Sequence, residues 1–292
     1  MMRTPTSRTH FGFIGLGLIG GSIAHSIRNI WPEADIMAYN YYETSRHPNL
    51  EQALSDGVLS QISTTLSDFS QCDVIFLCTP VLTNIAYLER IKPYLKEGCI
   101  VTDVGSVKGD IHNAVTKLGL EHCFIGGHPM TGSEKTGYAN SDAAFLKNCY
   151  YILTPTSQVP EQAVTWMQEF VSATGANCVT IDVKEHDQAT AGISHAPHII
   201  SAALVNAVHA RDHKGIYELL AAGGFKDITR ISSSSPDMWQ HICLSNKDCI
   251  LDFLDEYTEI LHQIKEDIRQ ENSDQIRSFF ASAKEYRDKL IK

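Results

Sequence analysis

The chain has no apolar run near the ~18 residues that a membrane-spanning helix needs, so a bilayer protein is not expected. Its opening residues, Met1 to His10, are polar and hold no secretory h-region. Basic residues are scarce relative to acidic ones: 24 Lys and Arg stand against 34 Asp and Glu, a formal net charge of −10. That balance argues against nucleic acid or an anionic membrane as a partner, although a local basic pocket can still hold a small anion. The eight cysteines (Cys72, Cys78, Cys99, Cys123, Cys149, Cys178, Cys243 and Cys249) never occur as C-x-x-C. Buried thiols in a reducing, cytoplasmic compartment are therefore expected, not a disulfide framework. There is no internal repeat and no low-complexity tract; the longest biased run is Ser232 to Ser235. What remains is a 43% hydrophobic chain of 292 residues, sufficient for about two domains with real cores.

One stretch stands out: Gly126-Gly127-His128-Pro129-Met130-Thr131-Gly132-Ser133-Glu134-Lys135-Thr136-Gly137. It is so poor in large apolar residues that no core element is expected there. Its glycines let backbone approach something closely, and its proline fixes the approach. The reading is a loop that wraps a small polar molecule, with an ordinary surface loop as the alternative.

A nucleotide fingerprint lies ahead of it. Phe11 to Gly15 reads as a strand, Gly15-Leu16-Gly17-Leu18-Ile19-Gly20-Gly21-Ser22 as a glycine turn, and Ile23, Ala24, Ile27 and Ile30 as one face of a helix. Gly15 permits the tight turn, Gly17 admits a pyrophosphate to backbone N–H groups, and Gly20 lets helix pack on strand, with Leu18 and Ile19 in the first turn. Strands follow at Asp35–Tyr39, Asp73–Cys78, Cys99–Asp103 and Phe124–Gly126. Helices are expected between them, near 50–54, 81–91 and 107–118. The alternation predicts a doubly wound, Rossmann-type α/β sheet. Ligands bind such sheets beyond the carboxyl ends of the strands, where Thr79-Pro80, Ser106 and His128 follow strands three, four and five. Ser106 also suits an N-cap for a helix starting at Val107. Asn40 stands where an acidic residue would bind the ribose of NAD. Asn40 does not repel a 2′-phosphate and Arg46 follows it, so NAD and NADP both remain open.

Further strands are expected at Tyr150–Thr154 and Asn177–Ile181, around a helix from Pro160 to Thr174. The texture then turns nearly all-helical, which places a domain boundary near 180: a dinucleotide-binding half over 1–180 and a helical half over 181–292. A helix from Gln188 to Arg211 carries Ser194-His195-Ala196-Pro197-His198, where proline predicts a bend. His186 and Asp187 are nearby, but their order is no familiar metal motif, so no metal is expected. Ala222-Gly223-Gly224 opens a turn before Phe225-Lys226-Asp227-Ile228-Thr229-Arg230. Ser235 and Pro236 suit N-cap and N1 of a helix carrying Met238, Trp239 and Ile242. Two last amphipathic helices carry Ile250, Phe253, Leu254, Tyr257, Leu261, Ile264 and Ile268, then Ile276, Phe279, Phe280, Ala283 and Tyr286. Both stripes read as core, and a helical half this small is suited to finish its core against a second copy.

In this order the motifs resemble the prephenate/arogenate dehydrogenase family of tyrosine biosynthesis. The matching segments are Gly15 to Ser22, Asp103-Val104-Gly105-Ser106-Val107-Lys108, Gly127 to Lys135, Ser194 to His198 and Gly223 to Arg230. The first is shared by many dehydrogenases; the last three are specific. The resemblance implies hydride transfer to NAD or NADP, leaning to NAD, with loss of the ring carboxylate as CO₂. It implies His128 as the base that takes the hydroxyl proton and Ser106 as its orienting partner. Arg230, His198 and His195 would bind substrate, with Ser133, Glu134 and Asp227 beside them, the two acids in an ionic network with Arg230. Gly15, Gly17, Leu18, Ile19, Gly20, Asn40, Arg46, Thr79 and Pro80 would hold the cofactor. A homodimer is expected. The lengths before the fingerprint and after the last helix leave no room for a fused mutase or regulatory domain, so a monofunctional chain is expected. Pyruvyl and alanyl substrates are not distinguished by any residue. Rival readings are a β-hydroxyacid dehydrogenase or imine reductase, a catalytically silent dinucleotide sensor, and, weakest, a metal-dependent hydrolase.

Overall fold

The computed structural model describes residues 9–41, 47–132 and 135–290. Arg46, Ser133 and Glu134 lie outside them. The first half alternates strand and helix: β1 (His10–Ile14), α1 (Leu18–Ile30), β2 (Asp35–Tyr39), α2 (Pro48–Ser55), β3 (Gln61–Ile62), β4 (Val74–Leu77), α3 (Val81–Ile91), β5 (Ile100–Asp103), α4 (Gly109–Leu118), β6 (Phe124–Pro129), β7 (Tyr150–Pro155), α5 (Glu161–Ala173) and β8 (Asn177–Thr180). They build one eight-stranded sheet in the order β3-β2-β1-β4-β5-β6-β7-β8. Every pairing is parallel except β6 with β7.

Because the strands are buried on both faces, they alternate between two apolar layers. Phe11 and Phe13 of β1 and Phe76 of β4 face one layer, packed with Ile23 and Ile27 of α1 and Trp166 and Phe170 of α5. Ile14, Ile75, Leu77 and Val101 face the other, against Leu88 and Ile91 of α3 and Ile111 and Val115 of α4. Each such side chain, fully buried, contributes about 1.5–3 kcal/mol. The two layers cover both faces of the sheet, and the site is assembled on its rim.

The second half is helical: α6 (Val183–Thr190), a π turn (Ala191–His195), α7 (Ala196–Arg211), α8 (Ile216–Leu220), α9 (Gly223–Thr229), α10 (Pro236–Ser245), α11 (Lys247–Arg269) and α12 (Ser273–Leu290). Among the described residues no helix is long and apolar enough to cross a membrane. Ser235 caps α10 through a bond to Met238 N, with Pro236 in its first turn.

The structure departs from the sequence expectations in five places. The short strand β3, with an exposed and a half-exposed residue, has no apolar signature to announce it. Strand β6 runs on past Gly126 to Pro129 and is buried throughout, so Gly127 and His128 are core strand and not loop. Here glycine serves strand packing: a Cβ on Gly127 would sit 2.6 Å from Asp103 O. Helix α4 begins at Gly109, not Val107, and Ser106 does not cap it. Gly223 and Gly224 open helix α9 and do not form a turn ahead of it. Finally, the last two stripes are largely uncovered. Leu261, Ile268, Phe280 and Tyr286 are exposed, and α12 buries no residue at all, because α11 is its main neighbour and none of the described residues covers its other side.

Candidate active site

The strand order brings the ends of β2, β1, β4, β5 and β6 side by side along one rim. Gly15 follows β1 with a φ of +93°, and a Cβ there would meet Thr79 Cγ2 at 2.7 Å and the Cys78 carbonyl carbon at 2.8 Å. The glycine turn thus presses on the Thr79-Pro80 segment that leaves β4. Gly17, the N-cap of α1, has open space where a side chain would be, and no side chain caps the helix. The first-turn N–H groups of Leu18, Ile19 and Gly20 are therefore offered to an outside acceptor, which fits a pyrophosphate. Asn40, after β2, accepts a hydrogen bond from Leu16 N at 2.8 Å, tying the second strand to the glycine turn. Thr79 is locked by Asn84, whose Oδ1 accepts from both its N–H (3.0 Å) and its hydroxyl (2.6 Å).

His128 is 9% exposed, near the end of β6. Its Nδ1 lies 2.8 Å from His186 Nε2, and His186 Nδ1 lies 2.7 Å from Asp187 Oδ1. Both partners stand on α6, so the helical half supplies the back wall of a group carried by the sheet. Burial, reinforced by the charges of His186, Lys108 and His195, pushes the His128 imidazole well below its usual value. Its unprotonated form is thereby favoured.

Asp187 does more than hold His186. Its Oδ1 accepts from Lys108 N at 2.9 Å and its Oδ2 from Gly109 N at 2.8 Å. It therefore caps α4 from 79 residues away, the role that local sequence offers to Ser106. Burial opposes ionisation of this carboxyl, but His186 and the two backbone N–H groups hold it below its ordinary value. Lys108 is fully buried; its ammonium contacts Asp103 Oδ2 and donates to Gly127 O at 2.8 Å. Burial lowers its affinity for the proton, and Asp103 opposes that. Asp103 also accepts from Gly105 N (2.9 Å) and Gly127 N (3.2 Å), fixing the loop that carries half-buried Ser106 beside β6.

The π turn directly before Pro197 widens the helix where proline can neither donate a hydrogen bond nor tolerate the carbonyl behind it. It brings His195 inside. His195 is 1% exposed, and burial lowers its pKa to about 4. Asn246 Nδ2 donates to Asp187 O at 2.8 Å and contacts His195 Nδ1 at 3.0 Å. Among the described residues His195 Nε2 has no hydrogen-bond partner. His198 donates from Nδ1 to Ser194 O at 2.8 Å and stacks on Trp239, with centroids 4.0 Å apart. Both line a hollow of 390 Å³ with Ile231 and Ser232. Arg230 and Asp227 are exposed nearby in sequence, and among the described residues no ion pair joins them. A larger hollow, 1190 Å³, opens at the opposite end of the strands around His10, Asp73 and Cys99. Its lysines are engaged, Lys92 with Leu118 O and Lys96 with Asp73, both at 2.7 Å, and it lies away from the rim just described.

The chain after Met130 is fastened to α1. Tyr138 stacks on His25 (5.5 Å) and donates to Asp56 Oδ2 at 3.1 Å, and Asp142 N donates to Ser22 Oγ at 3.1 Å. The structure therefore gathers His128, Ser106, His195 and the glycine turn around one rim. Sequence reasoning misses Asp187, His186, Lys108 and Asn246 as its supports. A signal for the first two exists: an Asp beside a His just ahead of the histidine-proline helix suits a hydrogen-bonded pair as well as it suits a metal.

The chain is similar to known proteins along most of its length. Residues 23–180 match the family model described as prephenate dehydrogenase, nucleotide-binding domain, and residues 182–282 match prephenate dehydrogenase, dimerization domain. The prephenate dehydrogenase of Bacillus subtilis is 37% identical over 281 residues, 94% of this chain and 74% of that one. The crystal structure of prephenate dehydrogenase from A. aeolicus in complex with hydroxyphenyl propionate and NAD+ superposes with a TM-score of 0.88 at 28% identity, covering 98% of this chain and 99% of the other. Synechocystis arogenate dehydrogenase gives 0.86 at 28% identity, over 97% and 100%.

Proposed function

Since the chain belongs to the prephenate dehydrogenase family and is a nicotinamide-dependent dehydrogenase, we propose that it oxidatively decarboxylates prephenate to 4-hydroxyphenylpyruvate, with NAD as its preferred cofactor. The observation that carries the reading is the buried imidazole of His128, backed by His186 and Asp187, on the same rim as the uncapped glycine turn.

When bound, the nicotinamide accepts the hydride from the carbinol carbon. His128 takes the proton of the hydroxyl as that hydride leaves, a task suited to an imidazole that is unprotonated at pH 7. Loss of the ring carboxylate as CO₂ then sends its bonding pair through the ring onto the carbonyl oxygen, aromatisation drives the step, and the proton held by His128 returns to that oxygen to give the phenol. Ser106, on the loop after β5 that Asp103 fixes, orients the hydroxyl. Gly15, Gly17, Leu18, Ile19 and Gly20 bind the pyrophosphate through backbone, Asn40 serves the ribose, a role the resemblance also gives to Arg46, and Thr79-Pro80 borders the nicotinamide. Arg230 holds the side-chain carboxylate through its planar fork of donors. His198 and His195 line the ring, and Asp227 steadies Arg230 once substrate arrives; the resemblance gives Ser133 and Glu134 roles in the same binding step. The division at 180 separates the cofactor half from the substrate half. The uncovered faces of α11 and α12 pair with those of a second copy, giving a homodimer.

Arogenate is the second reading, favoured by the fold match to the Synechocystis enzyme. The test is absorbance at the reduced-nicotinamide band with prephenate and arogenate crossed against NAD and NADP. Prephenate with NAD is expected to give the highest kcat/KM. A preference for arogenate would replace the substrate assignment, and no reduction in any pairing would overturn the reading.

A further inference from the structure

Two imidazoles in this site are wired to opposite ends of one residue, and the wiring fixes where their protons sit. Asp187 accepts two backbone N–H bonds, from Lys108 and Gly109, so its side chain is a carboxylate and only an acceptor. His186 Nδ1, 2.7 Å from Asp187 Oδ1, must therefore carry a hydrogen. In a neutral His186 the other nitrogen, Nε2, is then a lone pair. His128 Nδ1 lies 2.8 Å from that lone pair and must donate to it. The remaining nitrogen of His128, Nε2, is left as an acceptor.

The second branch runs through the backbone of Asp187. Its carbonyl receives Asn246 Nδ2 at 2.8 Å, which identifies that atom as the amide nitrogen. The same nitrogen lies 3.0 Å from His195 Nδ1, so His195 accepts there. A neutral His195 then keeps its hydrogen on Nε2, the buried atom that has no partner among the described residues. A buried donor left without a partner costs about 1–3 kcal/mol, so its place is next to something that accepts.

We propose that His186, Asp187 and Asn246 are positioning residues that hold His128 and His195 in opposite tautomers, His128 with Nε2 as the proton acceptor and His195 with Nε2–H as a donor to the bound substrate. This rests on the reading of His128 as the base. The arrangement gives one site a base and a neutral hydrogen-bond donor from the same side chain type. A cation placed at His195 would oppose proton uptake by His128; a neutral donor binds an oxygen without doing so.

The tautomers are read directly from ¹⁵N shifts and long-range ¹⁵N–¹H couplings in the full-length protein labelled at histidine. His128→Asn and His195→Asn serve to assign the signals. The expected result is a protonated Nδ1 and bare Nε2 on His128, and the reverse on His195. The same tautomer on both rings, or His128 protonated at Nε2, overturns the proposal. A kinetic arm uses His186→Leu, which strips the acceptor from His128 Nδ1–H, and His186→Gln, whose amide oxygen can replace it. For the leucine variant kcat is expected to fall by on the order of 10²- to 10⁴-fold, the range spanned by orienting partners of functional groups, with cofactor Kd unchanged. The glutamine variant is expected to recover much of that loss. Wild-type kcat in His186→Leu would overturn the proposal. Full turnover in His128→Asn would instead sink the base assignment, while the tautomers in the wild-type protein would still report on the wiring.

Discussion

At the residue scale, chemistry follows from burial. Burial favours the unprotonated form of His128, and the neighbouring Lys108 and imidazoles add to that. A base works only unprotonated, so a lowered pKa extends activity downward in pH. The acid limb of kcat/KM is accordingly expected well below pH 6.5, the imidazole's ordinary value. A limb at or above 6.5 in the pH–rate profile would contradict that. Gly15 makes a second residue-level case. Its φ is +93°, and atoms of Thr79 and Cys78 lie within 3 Å of where a Cβ would stand, which leaves no room for a side chain. Gly15→Ala should lose at least about 2 kcal/mol in urea unfolding and bind cofactor more weakly. Gly57→Ala, at φ +72° with open space around it, should lose only about 1 kcal/mol.

At the scale of elements, the sheet is legible because its strands are apolar runs bounded by glycine, proline and polar residues. Phe11 to Ile14 and Val74 to Leu77 can be read without knowing their neighbours. Strand β6 is legible only as far as Gly126, because Gly127 is small for packing reasons that only the adjacent strands explain. The start of α4 resists it too. Ser106 has the right chemistry for a cap, but the acceptor that α4 uses arrives from α6, a contact between distant residues that no local pattern encodes. Asp187→Ala removes that acceptor from two N–H groups at once. It should cost about 1–3 kcal/mol and raise hydrogen exchange in the first turn of α4, while distant helices such as α5 stay protected. Unchanged exchange at Gly109 would mean that the cap is dispensable.

At the scale of the whole molecule, the helical half leaves much of its apolar surface uncovered among the described residues. Its buried apolar side chains are few, Ala191, Ala196, Ile242 and Ile250 among them, while Phe280 and Tyr286 are more than 60% exposed. The stripes on α11 and α12 are legible as apolar, but where they are buried is not, since a sequence does not say whether a neighbour lies in the same chain. Sedimentation should give about twice the 32.4 kDa chain mass, and Leu261→Asp with Phe280→Asp should halve it, because two unpaired carboxylates cannot be buried cheaply. A monomeric wild type would contradict the pairing. Acid stability is also a property of the whole. His112 and His195 are held near pKa 4 in the fold by burial, whereas an unfolded chain would protonate them from about 6.5. Stability from this source is intact above that value and declines between pH 6.5 and 4, by up to ~1.4 kcal/mol per pH unit for each imidazole.

If this rim is a dehydrogenase site whose base is His128, one side chain decides turnover without deciding cofactor binding. Turnover of prephenate and NAD by His128→Asn, with cofactor affinity measured on the same sample, meets that directly. The expected result is a loss of kcat of about 10³-fold or more at unchanged cofactor Kd, since Asn fills much of the space but cannot accept the proton. Retention of wild-type kcat in that variant would contradict the assignment of His128 as the base.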